Sequence, residues 1–236
     1  MHFEAWEPVY ESILADFGFD RAADERVRDV LAGFAEPFDL ARLDVTGETV
    51  VIAGAGPSLE TVLDSLSDDV LSDGAVFAAS TAADHLGEAG IEIDCMVTDL
   101  DKNPETVRSL TGRGTPVAVH AHGDNEPLVH EVVPTLDREN VLATTQAAPA
   151  EPVENVGGFT DGDRAAFLAD HCGARRLQFV GWDFDDDSVD ATKHHKLVWA
   201  ERLLYWLERQ RDERFPVLDG RRDGIDTSPL PVEDRL

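Results

Sequence analysis

From Thr49 onward, short apolar runs rich in β-branched residues alternate with stretches of helical spacing. The runs are TVVIAG (49–54), AVFAAS (75–80), DCMVTDL (94–100), PVAVHAH (116–122), NVLATTQ (140–146) and LQFVGWDF (177–184). Apolar residues recur every three or four positions over 57–66, 82–89, 103–112, 125–133, 161–172 and 191–213. A helix between two strands is a crossover, and a crossover makes the strands parallel. The pattern therefore predicts an α/β fold, a Rossmann-like and mostly parallel sheet with helices on both faces. Residues 1–46 read as an N-terminal helical segment, broken near Gly33 and Pro37, and 47–215 as the α/β domain. Residues 216–236 lack a sustained period and read as an extended tail.

Charge excludes several functions. Asp and Glu total 48 against 20 Lys and Arg, a formal net charge of −28. No basic stripe exists to displace counterions, so nucleic acid is excluded as a partner. No apolar run approaches the ~20 residues of a membrane span. Cys95 and Cys172 have no metal-ligand spacing, which fits a reducing, cytoplasmic setting. The acid excess is of the kind carried by salt-adapted proteins, whose self-repulsion is screened. Against that surface only three lysines stand, Lys102, Lys193 and Lys196, each beside a motif-like stretch.

In an open parallel sheet, ligands bind beyond the carboxyl ends of the strands, where these polar motifs collect. GAGPSLE offers Gly54 and Gly56 for close phosphate approach, with Pro57 and Ser58 at a helix start. It lacks the Gly-Lys-Ser/Thr ending of a phosphate-binding loop of the Walker type. In TDLD, Asp99 and Asp101 lie two apart and share a face if the strand runs through both, a carboxylate pair suited to Mg²⁺. HAHGDN places His120 and His122 on one face, with Gly123 freeing the backbone before Asp124. In GGFTDGDRA, Gly157 and Gly158 permit close approach. Thr160 or Asp161 caps a helix, Asp163 complements its dipole or holds metal, and Arg164 pairs with phosphate. Asp183 ends the last strand facing the site, and Lys196 can neutralise a triphosphate.

As a set, GAGPSL, VTDLD, HAHGDN, GGFTDGDRA and the GWDF…KHHKL region resemble the archaeal 6-hydroxymethyl-7,8-dihydropterin pyrophosphokinases, which are distantly similar to thiamin pyrophosphokinases. The resemblance covers roughly 48–207. It implies Mg²⁺-dependent transfer of diphosphate from ATP to the hydroxymethyl group of a reduced pterin, with AMP as coproduct. Carried over, it implies metal and ATP contacts at Asp99, Asp101, Asp124, Asp161 and Asp163. Lys102 departs from the pattern, standing where a small residue is expected. The proton acceptor is expected at Asp124 or His122, and the charge-stabilising groups at Lys196 and Arg164. Thiamin as acceptor, an S-adenosylmethionine-dependent methyltransferase and a nucleotide-binding module without turnover are the alternatives. A homodimer through the N-terminal helices or the tail is compatible with the sequence, but no heptad specifies one.

Overall fold

A computed structural model describes residues 1–65 and 74–231. The apolar runs form β1 (Thr49–Ala53), β2 (Ala75–Ala79), β3 (Cys95–Thr98), β4 (Val117–Ala121), β5 (Val141–Thr145) and β6 (Arg176–Val180). The six strands make one sheet in the order β5-β4-β3-β2-β1-β6, every neighbour parallel. Chain order steps outward from β1 to β5 and then returns to the far side of β1. The reversal between β1 and β6 is a topological switch point, where the connecting loops diverge and leave a crevice.

The intervening patterns form α3 (Ser58–Ser65), α4 (Ala82–Glu88), α5 (Pro104–Gly112), α6 (Glu126–Val132), α7 (Asp161–His171) and α8 (Ala191–Arg211). Each lies within a residue or two of its expected limits; position 66, the expected end of the first, is outside the described residues. Residues 1–46 supply α1 (Phe3–Phe17) and α2 (Arg21–Ala32). Strands buried on both faces alternate their side chains between two cores. Val50, Ile52, Phe77 and Val97 pack with α1, α7 and α8, including Trp6, Phe167 and Trp199. Val51, Ala53, Val76 and Met96 pack with α2 and α4–α6, including Leu31, Leu86 and Val129. Such burial supplies about 25 cal/mol per Å² of apolar area, so both layers stabilise the sheet.

Two expectations change. The residues after Phe215 are not an extended arm as far as Pro231. Phe215 and Leu218 are fully buried, Leu230 nearly so, and Arg222 holds the buried Glu208 of α8 at 2.6 Å. Short, irregular apolar anchors carry no periodicity, so the sequence pattern missed them; 232–236 lie outside the described residues. Nor does a strand run through Asp99 and Asp101, because β3 ends at Thr98. The Thr98 hydroxyl accepts the Leu100 N–H at 3.0 Å, and Leu100 adopts a left-handed φ of 71°.

Among the described residues no helix is long and apolar enough to cross a membrane.

Candidate active site

All six strand ends open on one cavity of about 710 Å³, closed on its sides by the α1–α2 turn and the starts of α7 and α8. Its floor is the switch point. The Gly54 and Gly56 N–H groups donate to Val180 O and Gly181 O at 2.8 and 2.9 Å, binding the two loops to each other. A Cβ on Gly54 would sit 2.6 Å from Gly181 O, and one on Gly56 2.3 Å from Asp183 Oδ2. Glycine is thus required here by the approach of β6. Asp183 Oδ2 accepts the Ser58 N–H and hydroxyl at 2.9 and 2.7 Å. Gly54, Gly56 and Asp183 line the cavity, whereas Pro57 and Ser58 do not.

The turn after β3 supplies the acidic wall. With Leu100 left-handed, Asp101 folds back and its N–H donates to Asp99 Oδ1 at 3.3 Å. His122 Nε2 lies 3.6 Å from Asp99 Oδ2, and Lys102 Nζ 3.1 Å from Asp101 Oδ2. Burial pushes the Asp99 carboxyl up, but His122 and the hydrogen bonds from Asp101 hold it well below the usual carboxylate range. Asp101 moves the other way, raised by burial and by the Asp99 charge. Asn125, itself buried, fixes this corner: its Nδ2 donates to Asp99 O and His120 O at 2.9 and 2.7 Å, and its Oδ1 accepts the His122 N–H.

At the start of α7 the two acids separate. Asp163 is fully buried and does not line the cavity. Its Oδ2 accepts the Thr160 hydroxyl at 2.6 Å, and its carboxylate takes the N–H groups of Phe159 and Thr160, completing a capping box. Asp161 faces the cavity and pairs with the buried Arg164 at 3.2 Å. Burial, then the charge of Asp99, pushes the Asp161 carboxyl up to about 8. Gly157 and Gly158 lie off the cavity at φ of 87° and 92°. A Cβ on Gly158 would fall 2.4 Å from Arg164 Cα, so this glycine lets the loop pack on α7.

Lys102, Lys193 and Lys196, the only lysines in the chain, all line the cavity. Lys196 Nζ also lies 5.8 Å over the Phe159 ring. Asp124, exposed, stands at the rim, where its N–H reaches His122 Nδ1 at 3.4 Å. The site thus carries opposed charges in two banks, carboxylates on the β3 turn and α7, cations on α8 and Lys102. That arrangement suits an anion brought in with a cation.

The family model described as 6-hydroxymethylpterin diphosphokinase MptE-like matches residues 29–188, two thirds of the chain. The chain belongs to this MptE-like family. The 6-hydroxymethyl-7,8-dihydropterin pyrophosphokinase of Methanothermobacter thermautotrophicus is 39% identical to it over 234 residues, covering 91% of this chain and 99% of its own. That of Pyrococcus furiosus is 38% identical, covering 88% and 95%, and that of Methanocaldococcus jannaschii 31% identical, covering 91% and 99%. The family match begins inside α2 and stops before α8, so Lys193 and Lys196 lie beyond it. Being similar to pyrophosphokinases over nearly their whole lengths, the chain is a diphosphotransferase.

Within this family member, the cavity residue Asp24 carried no recognisable signal in the sequence. Asp24 reaches in from α2, 3% exposed, to accept the Tyr10 hydroxyl at 2.7 Å, the Gln146 amide at 2.8 Å and the Gly123 N–H at 2.7 Å. An acid on an amphipathic helix reads as a solvated face; only the buried phase, Asp24 with Val27 and Leu31, separates it from its neighbours. Trp182 lines the floor with its Nε1 donating to Ile52 O at 3.1 Å, and a Cβ on Gly162 would meet its ring at 2.9 Å.

Proposed function

We propose that the protein transfers the terminal diphosphate of ATP to the hydroxymethyl oxygen of 6-hydroxymethyl-7,8-dihydropterin, with Mg²⁺, giving AMP and the pterin diphosphate. The observation that carries this reading is the gathering of every lysine in so acidic a chain around one cavity that also holds Asp99, Asp101 and Asp161. The names of the relatives supply the reaction class.

The residues fit a divalent cation. Mg²⁺ takes oxygen ligands and is commonly held by one or two carboxylates plus substrate phosphates. Asp99 and Asp101, drawn together by the Leu100 turn, offer such a pair, and Asp161 faces them. Among the described residues no three or more His, Cys, Asp or Glu side chains converge as a preformed metal cage. Asp163 is unsuited, because the capping box occupies its oxygens. When bound, the metal offsets repulsion between carboxylates and triphosphate and withdraws charge from the transferred group.

The chain's own groups do the rest. Lys193, Lys196 and Lys102 neutralise phosphate oxygens, and Arg164 is preset by Asp161. The substrate hydroxyl oxygen forms a bond to the β-phosphorus while the bond from that phosphorus to the α-bridging oxygen breaks and AMP leaves. The hydroxyl proton passes to Asp124 or His122, the residues at the rim. With Nε2 directed to Asp99, His122 takes the proton only at Nδ1, where the incoming hydroxyl replaces the long 3.4 Å contact from the Asp124 N–H.

Purified protein in concentrated potassium chloride, given Mg-ATP and 6-hydroxymethyl-7,8-dihydropterin, is expected to yield AMP and the pterin diphosphate in equal amounts, both abolished by chelator. ATP binding with neither product would discard the reaction.

A further inference from the structure

The transfer chemistry uses charged groups, yet the cavity also has an aromatic border. Phe19, half-buried, lines it from the turn between α1 and α2. A phenyl ring does nothing to hold phosphate oxygens or a divalent cation.

The backbone at Phe19 is fixed from both sides. Gly18 ends α1 at a left-handed φ of 69°, and the Phe19 N–H donates to Leu14 O at 3.0 Å. Asp20 then caps α2, its Oδ1 accepting the Ala22 N–H at 3.0 Å. Two further rings follow Phe19 in a near-parallel series. Phe17 stacks on it at 5.1 Å and 17°, and His195 of α8 stacks on Phe17 at 4.3 Å and 24°. His195 Nε2 lies 2.8 Å from Asp16 Oδ2, which ties down the outer ring. Neither Phe17 nor His195 lines the cavity, so the series reaches the cavity at Phe19.

The place of this ring along the sheet says what it meets. Asp24 accepts the Gly123 N–H at 2.7 Å and the Gln146 amide at 2.8 Å, so the α1–α2 turn lies over the β4–β5 end of the cavity. Gly54, Gly56 and Trp182 line the other end, at the crevice between β1 and β6. Strands ~4.8 Å apart put roughly 17 Å between β4 and that crevice. Between the two ends runs β3, which carries Asp99 and Asp101 on its following turn. In phosphoryl transfer the attacking and leaving oxygens stand in line on opposite sides of phosphorus. Nucleotide in the switch-point crevice, with its phosphates along the β3 acids, sends AMP off toward β1 and β6. The attacking hydroxyl then enters from the β4 side, where His122 and Asp124 stand.

We propose that Phe19 is the platform on which the flat ring of the acceptor stacks, at the opposite end of the cavity from the nucleotide base. A heterocycle laid on an aromatic side chain gains roughly tenfold in affinity without needing charge. The acceptor ring is thereby held beside the groups that take its hydroxyl proton, and the lysines are left to the phosphates. This rests on the reading that the acceptor is a pterin.

The test is a fluorescence titration of the full chain with 6-hydroxymethylpterin, with and without Mg²⁺ and α,β-methylene-ATP, alongside initial-rate kinetics with the dihydro substrate. Phe19→Leu and Phe19→Ile remove the ring and keep apolar bulk. Each is expected to weaken pterin binding and raise the pterin KM by roughly tenfold while the KM for ATP stays within about twofold. Phe19→Tyr keeps the ring and should remain within about threefold of wild type for both substrates. Unchanged pterin affinity in either aliphatic variant at a near-native melting temperature would overturn the platform. So would a loss confined to ATP, or an equal weakening of both substrates with a fall in melting temperature, which would mark the ring as structural. Wild type that binds the pterin without forming the diphosphate would sink the transfer reading alone; wild type that binds no pterin in either condition would sink both.

Discussion

Asp161 Oδ1 and Arg164 Nη1 lie 3.2 Å apart in the first turn of α7, with side chains 14% and 3% exposed. The pair faces Asp99 and Asp101, so the Asp161 carboxyl sits at about 8 even with an arginine beside it, through burial and then through Asp99. A folded-state pKa raised above its unfolded value of 3.8 stabilises most at low pH, and that contribution is lost as pH rises through about 8. Metal-free wild type should therefore lose stability relative to Asp161→Asn between pH 5 and 8, by at most about 1.4 kcal/mol per pH unit. Taking the difference cancels the lowered pKa values of His120 and His171, which act in the opposite sense. Urea unfolding of both proteins at fixed salt and several pH values measures it. Parallel curves would show that Asp161 does not titrate in this range.

Asp163→Ala should damage the fold where Asp161→Ala damages activity. Asp163 accepts the N–H groups of Phe159 and Thr160, and its loss leaves buried donors without partners. A lost cap costs ~1 kcal/mol and an unsatisfied buried donor ~1–3 kcal/mol, so a drop of about 2–4 kcal/mol is expected. Paired thermal melts and rate measurements separate the two acids. A stable Asp163→Ala protein without activity would return this residue to the reaction.

Asp99→Asn tests the acidic bank. The amide keeps the shape of the side chain but removes the charge that faces His122 and any bound cation. The transfer rate should fall about a hundredfold or more, while the melting temperature stays near wild type or rises as the repulsion on Asp101 and Asp161 is relieved. Rate against Mg²⁺ concentration is the informative measurement, since a weakened cation site shifts the curve to higher metal. A near-normal rate at ordinary Mg²⁺ would remove Asp99 from the cation site.

Much of this organisation was visible in the chain itself. Apolar runs of five or six residues separated by helical patterns admit few arrangements other than a parallel sheet, and they place TDLD, HAHGDN and GWDF on one edge. The scarcity of lysine made Lys102, Lys193 and Lys196 informative, and all three face the cavity. What stayed hidden depends on phase and on long-range contact. Asp161 and Asp163 differ only in which way a helix start turns them. The left-handed Leu100, unusual for a branched side chain, is what joins Asp99 to Asp101. Asp24 meets Gln146 across 122 residues of sequence, a contact that no local pattern encodes.

The chain after Phe215 is the last element whose importance the sequence conceals. Leu218 is fully buried, Leu230 is 8% exposed, and Arg222 forms a charge-assisted contact with Glu208, itself only 5% exposed. Arg221 binds Glu201 of α8 and Asp185, and its guanidinium lies 5.2 Å over the Phe184 ring, which lines the cavity. Ending the chain at Phe215 should therefore expose apolar core and leave Glu208 buried without its partner. Two lost leucine anchors at ~1.5–3 kcal/mol each, plus the stranded carboxylate, predict a loss of about 4 kcal/mol or more. Arg221→Met is milder: it should cost about 1 kcal/mol and, by freeing Phe184, raise substrate KM severalfold with kcat little changed. Denaturant midpoints of the truncated chain and kinetics of Arg221→Met check the two claims independently. A truncated protein as stable as the full chain would mean that the tail rests on the core without supporting it.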